Sequence, residues 1–125
     1  MRLRLLAETY SICQLDCQAP VPDWAIGPFV SVTRTVEELS IVCPHRQVPA
    51  SVKSAGQWCC LHLPGPFEFS EVGIIAAVVT PLAKAGVPVF VISTFNTDWL
   101  LIQKSFQEQA VSVLQAAQYE IERDS

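Results

Sequence analysis

No run of Lys or Arg occurs in these 125 residues; eight basic side chains face twelve acidic ones, giving a net charge of −4 and a pI near 5.0. That balance argues against nucleic acid and against an anionic membrane surface as partners. No segment reaches the roughly 18 uninterrupted apolar residues of a spanning helix. The start, "MRLRLLAETYSICQL", carries Glu8 early and lacks a small-residue cleavage site, and its apolar run is too short for a signal segment. A cytoplasmic protein is expected. No C-x-x-C occurs. The five cysteines, Cys13, Cys17, Cys43, Cys59 and Cys60, are odd in number, and adjacent Cys59 and Cys60 should point to opposite faces of a strand. Reduced, partly buried thiols are expected rather than a disulfide framework.

Catalytic and cofactor signatures are sparse as well. His45 and His62 are the two histidines: His45 follows "CP" in a polar connector and reads as solvated, while His62 between Leu61 and Leu63 reads as packed or interfacial. Cys43 or Cys60 beside a histidine could form a thiolate nucleophile, but no orienting third group or local signature accompanies them. Zinc-ligand spacing is absent. "GPFEFSEVG" (65–73) has neither the Lys of a phosphate loop nor the spacing of a dinucleotide fingerprint. Glu37, Glu38, Glu120 and Glu122 read as solvated surface. The chain is expected to be no enzyme and to hold no metal and no cofactor.

What the chain has in abundance is apolar surface: 50% hydrophobic residues against 16% charged, with mean hydropathy +0.34. This is enough for one compact body or two small units sharing a core. The surplus leaves area for a partner, either a second copy as a homodimer or a regulatory protein.

The second half is the more regular. "WCCLHL" (58–63) reads as a strand. "SEVGIIAAVVTPLAKAG" (70–86) reads as a helix with Ser70 at N-cap, Glu71 in the first turn and Gly86 at C′. Its buried stripe is Val72, Ile75, Ala76, Val79, Leu82 and Ala83, with Pro81 kinking the last turn. "VPVFVISTF" and "DWLLIQK" are two strands joined as a hairpin. "SFQE" (105–108) forms a capping box, Ser105 at N-cap and Glu108 at N3, opening a helix that buries Phe106, Ala110, Val113, Leu114 and Ala117. The tail "YEIERDS" forms a short strand or frays. Residues 58–118 thus give β-α-β-β-α, a ferredoxin-like unit short of its last strand.

The first half repeats this scheme in reduced form. "FVSVTRT" (29–35) superposes on "FVISTFN" (90–96) at an offset of 61, and "YSICQL" (10–15) on "WCCLHL" at 48. The growth of 13 residues corresponds to a lost helix, leaving "PDWAIGP" (22–28) in its place. Residues 45–57 read as a polar connector with at most one helical turn. The division is therefore 1–57, a degenerate unit, and 58–125.

Two loops could form a site. A helix start after "GPFEFSEVG" presents free N–H groups to a carboxylate. Gly73 there serves either close approach of a ligand or packing against a small residue. In the hairpin "STFNTD", Asp98 could hold an ammonium or guanidinium, Thr94 supply a hydroxyl and Phe95 a wall. The alternative is a turn closed by Asn96 and Asp98 on their own backbone.

Taken together, "ETYSICQL", "FVSVTRTVEELSIVCP" and "GPFEFSEVGIIAAVVTPLAKAGVPVFVISTFNTDWLLI" resemble an ACT-domain family of small, mostly bacterial proteins. They are similar also to the ACT repeats of cytosolic arginine sensors. The resemblance implies an α+β fold of two ferredoxin-like βαββαβ ACT units, the first degenerate, with antiparallel sheets and helices on one face. The N-terminal strand is then a candidate fourth strand for the second unit. It also implies a regulatory module that binds a small-molecule effector, an amino acid. The residues implied are Glu71, Val72, Gly73 and Ile74 at the helix entry and Thr94, Phe95 and Asp98 at the hairpin. Ser70 stands where the sensors carry a second acid. A structural or protein-interaction domain without ligand is the competing reading.

Overall fold

A computed structural model describes residues 2–64 and 73–124. In chain order the elements are β1 (Arg2–Leu5), β2 (Tyr10–Leu15), β3 (Ser31–Arg34), β4 (Leu39–Pro44), β5 (Lys53–Leu63), α1 (Ile74–Lys84), β6 (Phe90–Ser93), β7 (Asp98–Gln103), α2 (Gln107–Ala116) and β8 (Glu120–Arg123). Single 3₁₀ turns occupy His45–Gln47 and Lys104–Phe106. Two compact units form. One comprises residues 8–58; the other combines residues 1–7 with 59–125, so the units do not meet at a single cut in the sequence. The chain passes from the first to the second along β5.

In the unit of residues 8–58 the strand order is β3-β4-β2-β5, with every neighbouring pair antiparallel. This is the order of a βαββαβ unit from which both helices have gone. Cys13, Leu39, Ile41 and Cys43 form its core, covered by Leu15, Trp24, Val30 and Val48. Between β2 and β3, Gly27 has φ 152°, and a Cβ there would lie 2.4 Å from the Pro44 ring. Only glycine fits against that proline. The connector is shorter than its composition indicates, because β5 starts at Lys53 and not at Trp58.

In the second unit the order is β6-β7-β5-β1-β8. The N-terminal strand β1 lies beside β5, where a βαββαβ unit has its fourth strand, and the tail forms β8 outside it. β1 is antiparallel to β5 but parallel to β8 (Arg2↔Glu120 through Leu5↔Arg123). Alternation sorts the side chains by face. Leu3 and Leu5 of β1, Cys59, Leu61 and Leu63 of β5, and Leu100 and Ile102 of β7 share one core with Val78 and Leu82 of α1 and Ala110, Val111 and Leu114 of α2. Both helices therefore cover one face. Each fully buried leucine there contributes about 1.5–3 kcal/mol.

The helices depart from their sequence readings at their starts. α1 begins at Ile74 with Gly73 (φ 82°) as its N-cap; the expected cap, Ser70, and Glu71 after it lie outside the described residues. The buried line is Ile74, Val78 and Leu82 flanked by Ile75 and Val79, while Ala76 and Ala83 face solvent. At its other end Gly86 (φ 78°) is C′: its N–H bonds Ala83 O at 3.0 Å and the Val87 N–H bonds Leu82 O at 2.9 Å, as in a Schellman motif. In α2 no capping box forms. Ser105 falls in the 3₁₀ turn, Phe106 is the N-cap without a side-chain bond, and Glu108 instead pairs with Arg123 of β8 at 3.1 Å. That guanidinium holds the Glu108 carboxyl below the usual carboxylate range.

Strand pairing also resets the internal register. Ser31–Arg34 pairs with Leu39–Val42 as Phe90–Ser93 pairs with Asp98–Leu101, so equivalent positions are 59 residues apart, not 61. The two 3₁₀ turns keep the same spacing. β2 and β5 end at Leu15 and Leu63, 48 apart, and the growth of 11 is the length of α1. The sequence overlay went two residues astray because apolar strands match at several registers.

Candidate ligand site at the β6–β7 hairpin and the start of α1

β6 and β7 are closed by a four-residue turn, Thr94 to Thr97, beyond the terminal pair Ser93↔Asp98. The Thr94 N–H bonds Thr97 O at 2.9 Å, and the Thr94 hydroxyl donates to the same carbonyl at 3.1 Å. Ser93 Oγ donates to Asp98 Oδ1 at 2.5 Å. Neither Asn96 nor Asp98 closes the turn on its own backbone, as that alternative required; the two threonines do it. Phe95, 79% exposed, stands at the tip.

Direction along the sheet follows from contacts. His62 meets Thr97 and Trp99 while the Cys59 thiol meets the Ile102 backbone, so β5 and β7 are antiparallel. β6 is antiparallel to β7 and hence runs with β5. The chain must then return along α1, starting at the end where β5 and β6 both stop. Gly73 and the hairpin turn accordingly share one end of the unit. Asp98 has the parity of Leu100 and Ile102, so it lies on the helix-covered face.

Of the residues indicated by sequence, Thr94, Phe95 and Asp98 are brought together by the hairpin. Ile74 opens α1 and packs partly against the core. Gly73 is exposed, a Cβ there would meet no described atom within 4 Å, and its left-handed backbone favours glycine. Glu71 and Val72, like Ser70, lie outside the described residues. The first N–H groups of α1 have no intrahelical acceptor and carry the positive end of the helix dipole.

One residue at this end was not singled out as functional by sequence. His62 stacks on Trp99, ring centroids 3.8 Å apart and planes 18° apart, and its Nε2 lies 3.2 Å from Thr97 Oγ1. Burial, then the Arg4 charge opposite, lowers its pKa below the ordinary histidine value. The strand pattern shows that His62 faces away from Leu61 and Leu63, but not what it meets.

The first unit does not duplicate the set. Its equivalent turn, closed by Thr35 N–H to Glu38 O at 2.9 Å, is followed by buried Leu39 in the place of Asp98, and no helix follows β2.

The thiols are placed for packing. Cys13, Cys43, Cys59 and Cys60 are buried. Burial pushes the Cys43 thiol up to about 11 and raises Cys60 further, the reverse of what a nucleophilic thiolate needs. His45 is exposed, with Nδ1 2.6 Å from Ser11 Oγ. Among the described residues no three His, Cys, Asp or Glu cluster as metal ligands, and no helix is long and apolar enough to cross a membrane.

Residues 53–116 match the family model described as ACT domain, and residues 8–51 match a model for an N-terminal domain. A crystal structure from Agobacterium tumefaciens is 38% identical, covering 99% of this chain and 93% of that one with a TM-score of 0.91. The regulatory subunit of aspartate kinase from Thermus flavus, 9% identical, covers 92% and 95% with a TM-score of 0.62, a likeness of fold. The human cytosolic arginine sensor for mTORC1 subunit 1 is 37% identical over 67 residues, 52% of this chain and 20% of its own length. The chain thus spans about a fifth of the curated relatives it matches. A family model covering half the sequence, together with a relative alike over nearly all of it, establishes that the chain belongs to the ACT-domain family.

Proposed function

We propose that the protein is a non-catalytic regulatory module that binds a free amino acid at the hairpin–helix end of its second unit. It would act in the cytoplasm, without a cofactor, and pass binding on to a second copy or a regulatory protein. Asp98 takes the cationic group, an ammonium or guanidinium, through Oδ2. The backbone N–H groups at Gly73 and Ile74, with Glu71 and Val72 before them, take the zwitterion's carboxylate. Thr94 adds a hydroxyl oxygen and Phe95 an apolar wall.

The observation that carries this reading is Asp98 on the helix-covered face, at the end where α1 begins. A carboxylate and the N–H groups of a helix start are opposite in sign, and together they match a zwitterion. Membership of the ACT family and the arginine-sensor relative add support.

A thermal-shift series over the twenty amino acids tests it. A ligand at about 100 times its dissociation constant stabilises by about 2.7 kcal/mol. Stabilisation by arginine or lysine that disappears in Asp98→Ala is expected. No shift with any amino acid would sink the reading. A protein-interaction domain is the second reading, favoured by exposed Val91 on edge strand β6 and by Phe95 at the tip.

A further inference from the structure

The ring of His62 lies on the sheet face away from the helices, because Leu61 and Leu63 on either side enter the helix-covered core. It is held there by the stack on Trp99. Its buried Nδ1 receives no hydrogen bond among the described residues, whereas Nε2 faces Thr97 Oγ1 at 3.2 Å. A neutral ring with its one proton on Nε2 donates to Thr97; this tautomer is assigned from the hydrogen bonds. Thr97 Oγ1 lies 3.4 Å from Thr94 Oγ1, which donates to Thr97 O. A continuous polar chain therefore runs from the rigid centre of the sheet into the turn. It ties to β5 a turn in which Thr94, Phe95 and Asn96 are exposed.

We infer that His62 is the positioning residue of the hairpin: anchored on Trp99, it fixes the turn through the Thr97 hydroxyl and thereby sets the placement of Thr94 and Asp98. This rests on the ligand-site reading for its consequence in binding, but the fixing of the turn is independent of any ligand.

The charged groups facing His62 are Arg4 on β1 and Asp124 after β8, which pair with each other at 3.6 Å; Asp98 points to the other face. Protonation adds an N–H at Nδ1, where no described acceptor waits. Acid should therefore strain the ring's seat and loosen the turn.

The test reads amide hydrogen exchange at Thr94, whose N–H bonds Thr97 O, with the Tyr119 amide at the end of α2 as internal reference. His62→Ala should speed Thr94 exchange about three- to tenfold, the effect of one hydrogen bond, and leave Tyr119 unchanged. His62→Gln, which can still donate to Thr97, should restore slow exchange. Thr97→Val should reproduce His62→Ala, and combining the two should add nothing; this pair decides the matter even where one variant folds poorly. After correction for intrinsic rates, lowering the pH from 7.5 to 5 should speed Thr94 exchange in the wild type but not in His62→Gln. Thr94 exchange unmoved by both His62→Ala and Thr97→Val overturns the inference. The twenty amino acids titrated in parallel separate the two ideas. Failure of the wild type to bind any of them overturns the function proposed above and leaves the exchange result to judge His62. Binding that weakens in step with exchange supports both.

Discussion

Ser93 and Asp98 face each other across the last rung of β6 and β7, the serine hydroxyl donating to one carboxylate oxygen at 2.5 Å. The bond fixes the Asp98 rotamer, and in the proposed site the other oxygen would take the cation. Asp98→Ala should therefore abolish stabilisation by a cationic amino acid while lowering apo stability by only about 0.5–1.5 kcal/mol. Urea melts with and without ligand check both halves. Ser93→Ala should weaken binding less, since it loosens the carboxylate without removing it.

Stability should depend on His62 in acid. Its folded pKa lies below its unfolded value of about 6.5, so the unfolded chain binds the proton first. The contribution is complete above pH 6.5 and is lost as the pH falls toward the folded pKa. Melts between pH 7.5 and 5 should show a decline that is shallower in His62→Gln.

Gly27→Ala should cost about 1–3 kcal/mol. Its Cβ would collide with the Pro44 ring at 2.4 Å, and a rigid proline cannot turn aside. Chemical denaturation of the variant measures the loss. Gly73→Ala, which meets no described atom and pays for its left-handed backbone alone, should cost about 1–2 kcal/mol.

Gln118→Gly should stabilise. Gln118 holds φ 75° at the C′ position of α2, where its N–H bonds Gln115 O and the Tyr119 N–H bonds Leu114 O. Glycine removes the left-handed strain, partly offset by its greater unfolded freedom, for a net gain of about 0.5–1 kcal/mol. A rise in melting temperature of a few degrees is expected.

Much of the fold was legible in short patterns. The apolar runs at 58–63 and 98–103, glycine at 86 and the polar turn between two apolar runs placed the second half of β5, β7, the end of α1 and the hairpin. Helix starts were misread. Ser70 and the Ser105–Glu108 pair have the composition of caps, but the backbone adopts a left-handed glycine at one start and a 3₁₀ turn at the other. Capping chemistry is local and weak, about 1 kcal/mol, and the path of the chain out of the preceding strand overrides it.

By itself the sequence determined which residues alternate toward a core, that the first half lacks a helix, and that a carboxylate ends the second hairpin, because these are matters of period and composition. The tertiary structure alone decided that β8 runs parallel to β1, that the two hairpin pairings are offset by 59 residues, and that His62 reaches Thr97. Each of these depends on strand register and on contacts between residues far apart in the chain, which no local pattern encodes.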